Sequence, residues 1–141
     1  MFWSRALLLA AVLRINPVLL ATPQKPTNDF DTFFAAFKAA VEQKNRAVLA
    51  SLMSPHFDFI LATNVSKAAV FSGLDSSDGQ QWHNLRQALE GTPVPYAGDG
   101  PYRNSRVLRC TPINVTSNCL VIFSKVSHKG WRWRAMVMPT R

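Results

Sequence analysis

Phenylalanines stand at positions 30, 33, 34 and 37, with Val41 continuing the apolar set. The i, i+3, i+4, i+7 spacing is the stripe of one helix face. It predicts a helix over 28–44, with Asn28 as cap and Asp31 favouring the positive end of the helix dipole. Asn45 breaks the pattern. Ala47, Val48, Leu49 and Leu52 then predict a second, short helix over 46–53. Pro55 forbids its continuation and pushes Ser54 toward an extended conformation. From His56 the period changes to two. Phe57, Phe59 and Leu61 share one strand face, and His56, Asp58 and Ile60 share the other.

A turn at Ala62-Thr63-Asn64 predicts a hairpin whose second strand spans 65–71. The Ser/Asp/Gly stretch 72–79 reads as a loop. Residues 80–89 read as a third helix, with Trp82, Leu85, Arg86 and Leu89 on one stripe. Prolines and glycines interrupt 91–101, which reads as an irregular loop long enough to form a rim. Strands are predicted over 106–110, 119–126 and 131–138. Ser127-His128-Lys129-Gly130 joins the last two, with Gly130 where a positive φ is needed. Alternation puts Trp131, Trp133, Ala135 and Val137 on the core side of the last strand. Arg132, Arg134, Met136 and Met138 fall on the other side.

At 141 residues, 48% hydrophobic and 17% charged, the chain has the composition of one globular domain rather than a disordered segment. The net charge of +8 is unevenly spread. Every acid lies at or before Asp99, whereas 101–141 carries eight Lys and Arg. That third of the chain is suited to an anionic partner, or to a solvated face that keeps the domain soluble. Residues 1–21 read as a signal peptide, with Arg5 before the apolar run Ala6–Leu13 and Ala21 as the last residue before cleavage. The apolar run is too short to span a bilayer. Residues 22–27, with Pro23 and Pro26, read as a linker, leaving 28–141 as the domain. Cys110 and Cys119 flank a turn-rich segment. In an exported chain they allow one bridge, across the ends of a hairpin loop; in a reducing compartment they would be two buried thiols.

The order helix, helix, strand, strand, helix, three antiparallel strands carries a resemblance. So do Phe30-x-x-Phe33-Phe34-x-x-Phe37, Lys44-Asn45-Arg46-x-x-Leu49-x-x-Leu52-Met53-Ser54-Pro55-x-Phe57 and the closing Gly130-Trp131-Arg132-Trp133-Arg134-Ala135-Met136-Val137. The chain resembles the nuclear transport factor 2-like (SnoaL-like, cystatin-like) superfamily over 28–139. The resemblance implies an α+β domain, with a cone-shaped, curved antiparallel sheet wrapping the long N-terminal helix and a pocket at the open end. Members include isomerases, cyclases, epoxide hydrolases and proteins that only bind. Their enzymes use an Asp or a Tyr–Asp constellation, but no such motif maps onto this chain residue by residue. Fold alone does not assign activity.

Candidate chemistry is sparse. His56 and Asp58 share a strand face two residues apart, the spacing of a general acid–base pair or of a plain surface pair. Trp82, Tyr96 and Tyr102 surround the predicted rim and could contact a flat or apolar ligand. Arg86, Arg103 and Arg106 could supply an anion-binding wall near it. His83 and His128 read as surface residues. The histidines are far apart, and no His-x-x-x-His, Cys-x-x-Cys or acidic calcium loop occurs, so neither a metal nor a cofactor is expected. Nucleic acid is disfavoured because alternation separates Trp and Arg onto opposite faces of the last strand. The leading expectation is an exported protein that binds a small molecule or partner in or around the cone without chemistry. The alternatives are a small isomerase or hydrolase using His56 and Asp58, and a cell-envelope scaffold or homodimer formed through the sheet.

Overall fold

A computed structural model describes residues 29–60, 62–110 and 119–137. The expected signal peptide, the linker, the cap at Asn28, Leu61 and Met138 lie outside the described residues. Helices α1 (Phe30–Glu42) and α2 (Arg46–Leu52) lead into strand β1 (Met53–Ile60). Then come α3 (Lys67–Ala88), β2 (Val94–Pro95), β3 (Arg106–Cys110), β4 (Cys119–Val126) and β5 (Gly130–Val137). The fold is α+β, with three helices and one five-stranded mixed sheet in the order β1-β5-β4-β3-β2.

The cap of α1 is Asp29, whose side chain accepts from the Asp31 N–H. Asn45 caps α2 through the Val48 N–H. These carboxylate and amide oxygens satisfy N–H groups that a helix leaves without partners in its first turn.

Two expectations about 61–79 are corrected. Residues 65–71 form no strand. Ser66 accepts from the Ala69 N–H and starts α3, and Val70 and Leu74, four apart, are buried on one helix face. Val65, Val70 and Phe71 suit a strand locally, but packing of the i, i+4 pair decides for helix. Of the loop expected over 72–79 only Ser76–Gly79 is non-helical backbone; 72–75 continue the helix that starts at Lys67. A Cβ on Gly73 would run into the ring of Phe59, so glycine is what lets α3 lie this close to β1.

The sheet is not wholly antiparallel. β1 pairs with β5 in parallel, while β3, β4 and β5 are antiparallel as expected. Beyond Phe59 the chain doubles back. Phe59 and Ala62 exchange backbone hydrogen bonds, and the Val65 N–H donates to Phe57 O. Ile60 stands at φ 57° in this reversal, a conformation that strains a β-branched residue.

All three helices lie on one face of the sheet, packed against Phe57, Phe59, Leu108, Val121, Phe123, Trp133 and Met136. Phe33, Phe37, Phe123 and Trp133 form the centre. The Phe37 ring meets Phe123 at 5.0 Å and Trp133 at 5.1 Å, both edge-on. Phe57 meets Trp133 at 4.7 Å, also edge-on. These are the favoured orientations of aromatic quadrupoles.

The expected alternation along β5 is corrected as well. Phe123 pairs with Trp133 and Ile122 with Ala135, so Arg134 is an extra residue in a β-bulge. The phase flips there. Trp131, Trp133 and Met136 face the helices, while Ala135 and Val137 join Val107, Ile122 and Leu120 on the opposite face. A period-two pattern cannot reveal a bulge whose residues are apolar on both sides.

Candidate functional site

The helix-side interior is occupied. Phe30, Phe33, Phe34 and Phe37 fill it with Phe123 and Trp131 at ring separations between 4.9 and 6.1 Å. Trp82, expected at a ligand rim, is buried instead. Its indole N–H donates to Asp75 across the break in α3, and Lys44 and Arg46 lie over its ring. The hydrogen bonds from Arg46 and Trp82 hold the Asp75 carboxyl down at about 2. Arg86 is exposed on α3 and reaches the Glu42 carbonyl at 3.5 Å, away from the other predicted rim residues. Neither lines the cleft at Tyr96, Arg103–Arg106 and Trp131.

The helix-free face carries the polar constellation. Asp58 is buried at 4% exposure and accepts from three donors in three segments. The Tyr102 hydroxyl donates at 2.6 Å, Arg134 Nη1 at 3.1 Å and the Asn64 N–H at 3.1 Å. His56 Nε2, on a half-exposed side chain, lies 3.2 Å from Oδ1, the oxygen that also accepts from Asn64, while Tyr102 and Arg134 share Oδ2. Burial pushes Asp58 up, but the hydrogen bonds from Tyr102 and Asn64 and the Arg134 charge outweigh it and hold the carboxyl below the usual range. Burial and the Asp58 carboxylate push the Tyr102 phenol up. A carboxylate held ionised and a phenol held protonated are fixed in place rather than poised to exchange a proton near neutral pH. The arrangement ties the loop containing Tyr102 and the return after β1 to the bulge of β5. His56 and Asp58 are thus neighbours as expected, but they stand opposite the helix-side interior.

Tyr102 and Tyr96 meet edge-on at 6.0 Å and cover Val107, Ile122 and Ala135. Arg132 and Arg134, expected on the outer side of the last strand, are already covered within one chain. Arg132 is 7% exposed and the Arg134 side chain 13%. Arg132 Nη1 has no hydrogen-bond partner among the described residues. It pairs in register with Ser124, whose hydroxyl is 2.6 Å from that of Ser105.

Beside this loop lies a cleft of about 470 Å³, lined by Pro95, Tyr96, Gly98, Asp99, Arg103, Asn104, Ser105, Arg106 and Trp131. Its shape follows from local rules. The Tyr96 N–H donates to Ser105 O, which closes the short β2–β3 pairing. Gly100 at φ 93° and Asn104 at φ 62° make the turns between. A Cβ on Gly98 would fall 2.6 Å from the Tyr96 hydroxyl, so glycine lets that ring lie over the loop. Tyr96, Arg103 and Arg106 were legible as rim residues. Trp131 was not, because alternation assigned it wholly to the core. Its place at the start of β5, beside the hairpin turn, was the signal that one of its edges would stay open.

Among the described residues, no group of three or more His, Cys, Asp or Glu side chains gathers to hold a metal, and no helix is long and apolar enough to cross a membrane. Comparison with protein-family models, with curated proteins and with solved structures finds no match to this chain.

Proposed function

We propose that this chain is an exported binding domain of the nuclear transport factor 2-like kind, acting without chemistry through the cleft at Tyr96, Arg103–Arg106 and Trp131. The observation that carries the reading is the contrast between the two faces. Aromatic rings occupy the helix side of the sheet, and the Asp58 carboxylate is taken up by Tyr102, Arg134 and Asn64, while the cleft keeps arginines and aromatic edges open. A cleft of several hundred cubic ångströms has the size of small-molecule sites, and its lining mixes aromatic edges with polar and charged groups. The family assignment draws support from the two opening helices, the three closing antiparallel strands and the helices sharing one sheet face; the expected second strand of the hairpin after β1 is absent among the described residues. A screen of small fragments, read by backbone amide shifts, is expected to perturb Tyr96, Arg103–Arg106 and Trp131. Hits confined to Phe33, Phe37 and Phe57 would return the site to the interior and sink the proposal.

Export goes with a Cys110–Cys119 bridge. The register places the two residues directly across the β3–β4 ladder. Opposed residues of antiparallel strands have Cα atoms about 4.5–5.5 Å apart, within the range of a disulfide. For so short a loop the chain-entropy account gives about 2–3 kcal/mol. The melting temperature is therefore expected to fall by roughly 10 °C on adding a reductant. Equal values with and without it would remove the bridge from the proposal.

A further inference from the structure

Resting on the cleft reading above, we infer that the cleft takes a small planar organic anion, a carboxylate carried on an aromatic ring system, with Arg103 and Arg106 on the carboxylate and Tyr96 and Trp131 against the ring. Arg106 is the preorganised element. Its guanidinium lies 4.5 Å from the centre of the Phe30 ring and 5.7 Å from that of Trp131. Contact with the two rings holds the guanidinium in place, and no carboxylate among the described residues pairs with it. Among the described residues neither Arg106 nor Arg103 makes an ion pair or a side-chain hydrogen bond. A guanidinium already held in place loses little rotamer freedom when it binds, and its fork matches a carboxylate.

The surrounding charges agree in sign. Asp99 is the one acid in the cleft lining, against two arginines. Asp29, next to Phe30, is spent on capping α1 through the Asp31 N–H and the Thr32 hydroxyl. Lys125 pairs in register with Trp131, and Lys129 is exposed in the hairpin turn beside it. Arg132, buried and without a partner for Nη1, stands in the same cross-strand row as Ser105, two strands away. The cleft therefore carries a positive potential with one acid to soften it, which suits a single negative charge. Asn104, exposed in the turn, adds a hydrogen-bonding edge. The volume of about 470 Å³ admits a two-ring body.

The test titrates the purified full-length protein with 2-naphthoate, its neutral isostere 2-naphthamide and the cation 2-naphthylmethylammonium, following the Trp131 indole and backbone amides by NMR. The expected result is naphthoate binding about tenfold or more tighter than the amide, as loss of a charge-assisted pair implies. No ammonium binding is expected, and affinity should fall as salt rises. Arg106→Gln and Arg103→Gln should each lower naphthoate affinity about tenfold and leave the amide's unchanged. Arg103 is exposed, so its variant keeps the test sound if Arg106→Gln disturbs Phe30. Equal affinity of naphthoate and naphthamide, with shifts at Tyr96 and Trp131, would overturn the anion assignment and leave the cleft as the site. Absence of shifts there with all three probes would overturn both.

Discussion

Phe37→Ala is expected to lower the unfolding free energy by about 4 kcal/mol, the range for removing a fully buried aromatic ring. Phe37 has no solvent exposure. It touches Phe33, Phe123 and Trp133, so one truncation loses three aromatic contacts as well as buried area. Its neighbours come from α1, β4 and β5 and cannot close the gap without moving whole elements. Domains of this size are stable by about 5–15 kcal/mol, so the loss is a large share of the total. Urea denaturation followed by tryptophan fluorescence measures it. A change below about 1 kcal/mol would mean that the interior relaxes around the cavity and is not close-packed in solution.

Asp58→Ala is expected to cost about 2–3 kcal/mol at neutral pH. Breaking a buried charge pair typically costs about 3–5 kcal/mol; the figure is reduced here because the Arg134 side chain keeps 13% exposure and can turn part of its charge to water. The loss comes from stranding donors, Tyr102 and Arg134, that have no substitute acceptor. The pH dependence distinguishes this from a packing defect. The folded-state pKa of Asp58 is depressed, so its contribution is fully present above the unfolded-state value of about 4 and is lost as pH falls through the lower folded value. The stability gap between wild type and Asp58→Ala should therefore shrink in acid. Asp75, depressed in the same direction, is present in both proteins and cancels in the difference. A gap that stays constant from pH 7 down to pH 3 would show that the carboxylate charge contributes nothing.

Much of the candidate site was legible, in pieces. Tyr96 lies in the loop 91–101 that its prolines and glycines mark, Arg103 just after it, and both line the cleft. Asp58 was visible beside His56 because both sit two apart on one strand face. What could not be read was which face of the sheet that is. The interior position of Trp82 was equally hidden, since its acceptor Asp75 lies seven residues back, across a break in α3 that composition signalled only as a loop.

The sequence by itself determined α1, α2 and the three C-terminal strands, since their periodicities of 3.6 and 2 are local and each buries one stripe. It also determined that the interior would be aromatic. Tertiary structure decided the rest. Residues 65–71 are compatible with strand or helix, and only burial of Val70 and Leu74 chooses the helix. The parallel pairing of β1 with β5 joins residues more than seventy positions apart, which no local pattern records. The bulge at Arg134 adds one residue and turns Ala135 and Val137 to the opposite face, carrying Arg134 to Asp58. That single step in the ladder separates the polar cluster from the core, and a period-two reading passes over it because both phases of β5 are apolar enough to be buried.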